Sequence, residues 1–196
     1  YVQAMCWITA SLADALEFAH QRGVVHLDLK PSNVLLANDG QPMLLDFHLA
    51  LGPIRPGGAL PDKFGGTPGY MPPEQERVVR SLQNGQPVES PVDGRADIYA
   101  LGAMLYESLG GQAPEQKGQK GDGSRFPEWP EGRAAQTTPV PFLPLAEVNP
   151  QVSGGLSDIV AKCLARRPED RYGEAAALAD DLRRHWTNQP LVGVPN

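Results

Sequence analysis

The chain has 196 residues, of which 41% are apolar and 20% charged, and its formal net charge at pH 7 is −6. This length suffices for one domain with a hydrophobic core, and the composition is that of an ordinary soluble globular protein. A mildly acidic chain without a basic block gives no reason to expect binding to nucleic acid or a membrane. No apolar run reaches the roughly 18 residues that a membrane-spanning helix needs.

The first predicted element is a long helix over residues 2–22, where apolar side chains recur at helical spacing. Gly23 suits the end of this helix, because glycine readily adopts the left-handed conformation found there. A very short strand is predicted at residues 24–25. Two apolar runs, 34–36 and 42–45, flank an Asn-Asp-Gly turn and predict a β-hairpin.

The remainder of the chain predicts two irregular segments and three helices. Residues 49–66 and 111–150 are rich in glycine and proline and lack periodicity, so we predict a loop and an irregular insert. Helices are predicted at about 93–109, 155–166 and 173–186. Inward-facing positions of the last two helices are Leu156, Ile159, Val160, Cys163, Leu164, Leu178, Leu182 and Trp186. The predicted fold class is α+β, mainly α, with one domain over residues 1–186 and an exit segment at 187–196.

The cysteines and the start of the sequence predict the cytoplasm as the compartment of this domain. Cys6 and Cys163 lie in apolar, helix-like stretches with neither metal-site spacing nor a disulfide pattern, so we interpret them as buried apolar residues. The residues after Tyr1 form an amphipathic pattern rather than a basic and apolar leader. Cytosolic thiols stay reduced, which agrees with both observations. A membrane anchor elsewhere in a parent protein stays open.

Four polar residues are predicted to converge at the hairpin. Asp28, Lys30 and Asn33 precede its first strand, and Asp46 follows its second strand. Because a hairpin brings its two ends together, these side chains are expected to share one patch. Three oxygen-bearing groups beside an ammonium suit a divalent cation and a phosphate. Asp46 lies between an apolar run and Phe47, so we expect it to be partly buried and to need a partner such as a metal ion.

Five segments, in this order, resemble the motifs of the protein kinases. They are HLDLKPSNVLL at residues 26–36, DFH at 46–48, GTPGYMPPE at 66–74, DIYALG at 97–102 and RRPEDRY at 166–172. The segment ADDLRR at residues 179–184 resembles bacterial members of the eukaryotic-like (Hanks-type) group. The resemblance implies a protein-kinase-like fold, in which this chain is the helical C-terminal lobe with a small hairpin. It also implies ATP, Mg²⁺ and a protein substrate with serine or threonine as ligands.

The resemblance implies a chemical role for five residues. Asp28 would accept or orient the proton of the substrate hydroxyl, and Lys30 would neutralise charge on the transferring phosphoryl group. Asn33 and Asp46 would hold the Mg²⁺ ions that bridge the ATP phosphates. Thr67 would touch both Asp28 and Lys30. A lysine two residues after the aspartate and this threonine are both typical of serine/threonine kinases.

Structural roles are implied for a second set of residues. Glu74 and Arg171 resemble a buried ion pair that ties the substrate-docking loop, residues 66–74, to the helical core. The loss of one partner would leave a buried charge. Asp97 would accept backbone N–H groups from the catalytic loop, residues 26–33, and hold its shape. Packing roles are implied for His26 and Phe47.

The first departure from the family pattern is the absence of the motifs that form half of the nucleotide cleft. The sequence contains no glycine-rich loop, no ATP-anchoring lysine and no partner glutamate, and the pairs Gly57-Gly58 and Gly65-Gly66 both lie in the activation segment. Half of the nucleotide cleft is therefore expected to come from an N-terminal lobe absent here. We expect the 196 residues alone to bind ATP poorly and to be inactive.

The second departure concerns regulation. Leu27 occupies the position where most kinases have an arginine that receives a phosphate from the activation loop. Residues 49–66 contain no serine, threonine or tyrosine, and Thr67 is the first hydroxyl after them. The phosphate acceptor and the arginine that would bind it are missing together. The sequence therefore predicts a kinase that is not switched by phosphorylation of its activation loop.

The third departure is His48, which replaces the glycine after Phe47. Histidine tolerates left-handed backbone geometry better than most residues, so the triplet is expected to remain competent but to be stiffer. Pro72 in place of alanine before Pro73 is expected to be neutral. Leu27 and His48 leave a pseudokinase that acts as a binding or scaffold module as the main alternative. A small-molecule phosphotransferase also shares the H-x-D…N core, but it lacks the docking loop.

Overall fold

The computed structural model describes residues 1–58, 64–110 and 142–195, and these form a mainly helical α+β unit. The helices are α1 (Val2–His20), α2 (Pro73–Gln83), α3 (Arg95–Gly110), α4 (Leu145–Val148), α5 (Gly154–Cys163) and α6 (Ala175–Trp186). The strands are β1 (Val34–Leu36) and β2 (Pro42–Leu44). The mainly helical fold with one small sheet agrees with the sequence prediction.

Helix α1 lies at the centre of the unit and packs against α3 and α6. Its predicted end is confirmed, because the chain leaves the helix after His20 and Gly23 adopts a φ of 74°. Val25 then forms an isolated antiparallel bridge with Leu51, which is the short strand contact predicted for residues 24–25. This bridge fixes the start of the catalytic loop beside the segment that follows the hairpin.

The hairpin is confirmed, with an antiparallel register that pairs Val34 with Leu44 and Leu36 with Pro42. Gly40 lies in the connecting turn with a φ of 86°, a conformation that glycine adopts without steric cost. A backbone hydrogen bond of 2.9 Å from Leu45 N to Asn33 O continues the pairing beyond the strands. The hairpin therefore holds the segment after β2 against the end of the catalytic loop.

Two helices were absent from the sequence prediction. Helix α2 begins at Pro73, within the segment that was interpreted as the end of a docking loop. Helix α4 lies in the predicted irregular insert, of which residues 111–141 fall outside the described residues. Residues 59–63 of the predicted loop also fall outside them.

The main hydrophobic core lies between α1, α3, α5 and α6. All the predicted inward positions of α5 and α6 are buried except Trp186, whose side chain is 42% exposed because it ends the helix. Cys6 and Cys163 are buried as predicted, and burial raises the pKa of each thiol, to about 11 and about 12 respectively. Both therefore remain protonated at neutral pH and act as apolar packing groups.

The residues after α6 fold back onto the helical unit. Asp181 on α6 accepts hydrogen bonds of 2.8 Å from Val192 N and Gly193 N, and Tyr172 Oη donates to the same carboxylate. The carbonyl of Gly193 accepts a hydrogen bond from Lys162 Nζ on α5. This final segment is thus anchored by a buried aspartate. No helix among the described residues combines the length and apolarity needed to cross a membrane.

Replacement of Gly102 by alanine is expected to destabilise the protein, although alanine is the better helix former. A Cβ at position 102 would lie 2.4 Å from Cys163 Cβ, where α3 and α5 pack closely. Overpacking of this kind costs about 1–3 kcal/mol. Gly154→Ala on α5 is the matched control, since a Cβ there meets no atom within 4 Å. Chemical denaturation of the two variants measures the difference, and equal stabilities would contradict the predicted overlap.

Candidate active site

A hydrogen-bonded cluster joins Asp28, Lys30 and Thr67. Lys30 Nζ lies 2.9 Å from Asp28 Oδ2 and 3.1 Å from Thr67 Oγ1, and Thr67 Oγ1 donates to Asp28 Oδ1 over 2.7 Å. The Asp28 residue is 95% buried, whereas Lys30 is half-buried. The three side chains therefore present one carboxylate, one ammonium and one hydroxyl at the edge of the core.

Asn33 contacts the same aspartate from the other side of the loop. Its Nδ2 donates to Asp28 O over 2.8 Å and lies 3.5 Å from Asp28 Oδ2. Pro31 begins a single 3-10 turn that ends at Asn33 and leads directly into β1. With its amide nitrogen occupied, Asn33 retains its amide oxygen as the group that can bind a cation. The contact also fixes the loop between the aspartate and the hairpin.

Asp46 is placed differently from the sequence prediction. Its side chain is 49% exposed, so the expectation of partial burial was wrong. The reason is that the neighbouring apolar residues Leu45 and Phe47 are themselves exposed and do not cover it. Asp46 has a φ of 62°, in the left-handed region, and Oδ1 contacts His48 Nδ1 at 2.5 Å. The hydrogen bond from His48 holds the pKa of Asp46 below its usual value, and the charge of Lys30 adds to this effect.

Two residues beside the hairpin, Asn33 and Asp46, are able to hold Mg²⁺. An ionised, outward-facing carboxylate on Asp46 and an amide oxygen on Asn33 are the hard oxygen ligands that Mg²⁺ prefers. Within residues 1–58, 64–110 and 142–195, no three His, Cys, Asp or Glu side chains form a group that could hold a metal ion. Mg²⁺ usually binds through one or two protein oxygens together with water and substrate phosphates, so this donor set fits the ion.

Asp97 holds the start of the catalytic loop. Its two oxygens accept hydrogen bonds of 2.9 Å from His26 N and Leu27 N, and Oδ2 also lies 2.7 Å from His20 Nε2 at the end of α1. Asp97 is almost completely buried in the first turn of α3. Leu27 has a φ of 66°, which is unfavourable for a non-glycine residue and requires such restraint.

His26, in the catalytic loop, packs against Phe47. Their ring centroids are 4.6 Å apart, and His26 is fully buried while Phe47 remains 43% exposed. The His26 ring is also hydrogen bonded, because Nε2 donates to Leu45 O over 3.0 Å and Nδ1 accepts from Asp28 N over 3.3 Å. The histidine thus ties the catalytic loop to the end of the hairpin.

Glu74 and Arg171 form a buried, bidentate ion pair. Arg171 Nη1 and Nη2 lie 2.6 and 2.9 Å from the two carboxylate oxygens of Glu74. The same guanidinium also donates to the backbone carbonyls of Ala165 and Arg95, at 2.8 and 3.0 Å. Because both side chains are at most 2% exposed, the pair fixes the start of α2 to the helical core.

The chain is similar to known proteins over most of its length. A model of the protein kinase domain matches residues 3–185 of the chain. The chain belongs to the protein kinase family. Curated relatives include the serine/threonine-protein kinase Pkn1 of Myxococcus xanthus, with 38% identity over 92% of this chain and 24% of the relative. Another is the serine/threonine-protein kinase PknB of Mycobacterium tuberculosis, with 31% identity over 93% of this chain and 26% of the relative.

These relatives agree with the resemblance to bacterial Hanks-type serine/threonine kinases. The chain spans about a quarter of the length of the curated relatives it matches. The match over residues 3–185 includes every motif that carried the resemblance. Protein kinases as a family use ATP and Mg²⁺.

The sequence prediction missed two side chains that restrain the catalytic loop of this kinase domain, one directly and one through Asp97. His20 contacts Asp97, and Gln75 Nε2 donates to Leu27 O. Both contacts join residues more than 45 positions apart in the chain, so no local spacing could indicate them. The one available signal was the buried helical position of Gln75 directly after the motif glutamate, which becomes visible only once α2 is recognised as a helix.

Proposed function

We propose that the protein containing this chain transfers the γ-phosphoryl group of ATP to serine and threonine hydroxyls of protein substrates. The observation that carries the proposal is the contact of Thr67 Oγ1 with both Asp28 and Lys30. This contact places a residue of the docking segment directly on the carboxylate and the ammonium. It supports a protein hydroxyl, rather than a small molecule, as the acceptor.

The cluster supplies two of the requirements of phosphoryl transfer. Asp28 is a restrained carboxylate that can accept the proton of the attacking hydroxyl as the new O–P bond forms. Lys30 carries the positive charge that stabilises the transferring phosphoryl group while its bond to ADP breaks. Each carboxylate oxygen has more than one acceptor position, so the contacts of Asp28 with Lys30 and Thr67 leave room for the substrate hydroxyl.

Mg²⁺ would be held by Asp46 and Asn33, and it would neutralise charge on the ATP phosphates. Asp46 stays ionised well below neutral pH because its pKa is lowered by His48. Asn33 is oriented by its bond to Asp28 O. These two residues therefore contribute by keeping oxygen ligands available at the ends of the hairpin.

We further propose that phosphorylation of the activation loop does not control this kinase. Leu27 is 96% buried in an apolar cluster, which we call the Leu27 cluster. Its buried members are Val25, Leu27, Ile54, Val78, Val88, Val92 and Ala96. Ile54 of the activation segment pairs with Val92 through two backbone hydrogen bonds of 2.8 and 3.1 Å. Apolar packing and backbone pairing thus support a segment that is held without a phosphate–arginine contact.

Phosphatase treatment is expected to leave the activity unchanged. Because residues 49–66 offer no hydroxyl and Leu27 offers no charge, dephosphorylation removes nothing that holds this segment. Initial rates of protein phosphorylation before and after treatment should agree within about twofold, roughly 0.4 kcal/mol. Mass spectrometry of both samples is the accompanying measurement. A phosphate on Thr67 that raises the rate would contradict the proposal.

The alternative is a pseudokinase that serves as a binding or scaffold module, favoured by Leu27 and His48. The candidate functions are separated by incubating protein expressed from the complete reading frame with labelled ATP, Mg²⁺ and a mixture of protein and small-molecule substrates. Label on phosphoserine and phosphothreonine supports the kinase. A nucleotide-dependent rise in melting temperature without transfer supports the pseudokinase, and transfer to small molecules alone supports a small-molecule phosphotransferase. For the same protein we propose a cytoplasmic kinase domain whose last helix ends at Trp186, with the residues after it held against the helical unit.

A further inference from the structure

Gln75 occupies an unusual position for a neutral polar side chain. It lies in the first turn of α2, directly after Glu74, and is only 2% exposed. Its Nε2 donates to Leu27 O and to Gly65 O, each over 2.6 Å. Leu27 precedes Asp28, and Gly65 lies two residues before Thr67. One amide nitrogen therefore joins the two backbone segments that carry the Thr67–Asp28 hydrogen bond.

The backbone at Leu27 and at Gly66 adopts conformations that accommodate this amide. Leu27 has a positive φ, and its peptide groups are held by Asp97 at N–H and by Gln75 at C=O. Gly66 has a φ of 148°, and a Cβ at that position would lie 2.7 Å from Gln75 Nε2 and 3.0 Å from Leu27 O. The docking segment thus approaches the amide so closely that only glycine fits.

The chemistry of the contact selects glutamine. Both partners are carbonyl oxygens, so the side chain must present one nitrogen with two hydrogens, which a carboxamide does without charge. Glutamate would place a carboxylate against two carbonyl oxygens, and methionine would leave two buried carbonyls without this donor. The same requirement sets the orientation of the amide. Its oxygen could not form a hydrogen bond with either carbonyl, because carbonyl groups have no hydrogen to donate.

We propose that Gln75 is a positioning residue for phosphoryl transfer, which sets the separation of Asp28 and Thr67 by bridging Leu27 O and Gly65 O. The inference rests on the proposed kinase function and extends it to a residue that does not touch the substrate. Because small displacements of reacting groups reduce rates by up to about 10²-fold, loss of the bridge should lower kcat. The KM values for ATP and protein substrate should change little.

The test compares Gln75→Met and Gln75→Glu in protein from the complete reading frame. Gln75→Met is expected to lower kcat by about 10-fold or more, with both KM values within about twofold of the wild type. Gln75→Glu should show a kcat ratio to wild type that rises as the pH falls, since a protonated carboxyl regains one donor. Gln83→Met and Gln83→Glu, at the exposed end of the same helix, are the matched controls and should match the wild type.

The outcomes separate positioning from folding. Active-site titration gives the fraction of competent molecules, and the proposal is overturned if that fraction falls as much as kcat does. It is also overturned if the Gln75 variants retain wild-type kcat, or if the Gln75→Glu ratio does not depend on pH. Additive effects of Gln75→Met and Thr67→Val on the activation free energy would count against it too, because residues that act through one contact are coupled. An inactive wild type would instead contradict the kinase function itself, and with it any positioning role.

Discussion

Replacement of Asp28 by asparagine is expected to lower kcat for protein phosphorylation by about 10²–10⁴-fold, the usual contribution of a general base. Asparagine keeps the size of the side chain and can still accept a hydrogen bond from Thr67 or Lys30. It cannot take up the proton of the substrate hydroxyl at neutral pH. The loss should therefore appear in turnover, while the affinity for ATP measured by nucleotide-dependent thermal shift stays close to that of the wild type.

Asp158→Asn is the control for this change, since Asp158 is exposed on the outer face of α5. It removes the same charge without touching the cluster and should leave kcat unchanged. A fully active Asp28→Asn variant would show that the hydroxyl proton is removed by another group. It would also weaken the assignment of Lys30, whose ammonium contacts the same carboxylate.

The second large effect is expected for Arg171→Met, which should reduce the free energy of unfolding by about 3–5 kcal/mol. The substitution leaves the Glu74 carboxylate buried without its counter-charge, and it removes donors from the carbonyls of Ala165 and Arg95. Calorimetric unfolding of the kinase domain in protein from the complete reading frame measures the change.

Two further variants test whether the loss of stability comes from the buried Glu74–Arg171 ion pair. Arg167→Met removes an exposed ion pair with Glu169, in which the side chains are 70% and 53% exposed, and such pairs contribute only about 0–1 kcal/mol. Glu74→Met combined with Arg171→Met should recover part of the lost stability, because apolar replacement of a whole buried pair is often neutral. Equal destabilisation by Arg167→Met and Arg171→Met would contradict a special role for the buried pair.

The sequence was informative where apolar periodicity was strong. Helices α1, α3, α5 and α6 were predicted because each buries a regular face in the main core, and the hairpin was predicted from its Asn-Asp-Gly turn. Helix α2 was missed because its sequence is largely polar and had been interpreted through the docking motif. Pro73 at its first position was a start signal that local reasoning could have used.

Some features of the candidate site could likewise be predicted from the sequence, and others could not. The contacts among Asp28, Lys30 and Thr67 were implied by the resemblance to the kinase motifs. The exposure of Asp46, in contrast, depends on whether Leu45 and Phe47 are covered in three dimensions. An apolar run predicts burial only if a partner surface lies against it. The bridge made by Gln75 could not be predicted from local spacing, because it depends on the close approach of two distant backbone segments.

The Leu27 cluster also determines which physical conditions the activation segment responds to. A phosphate–arginine contact is electrostatic and weakens as ionic strength rises. Apolar burial is insensitive to such screening, but its driving force declines on cooling. Because this kinase holds the segment by Leu27, Ile54 and Val92, its order should be steady across salt concentrations and should loosen toward low temperature. Under the proposed independence from activation-loop phosphorylation, temperature would be the variable that adjusts how firmly the segment is held.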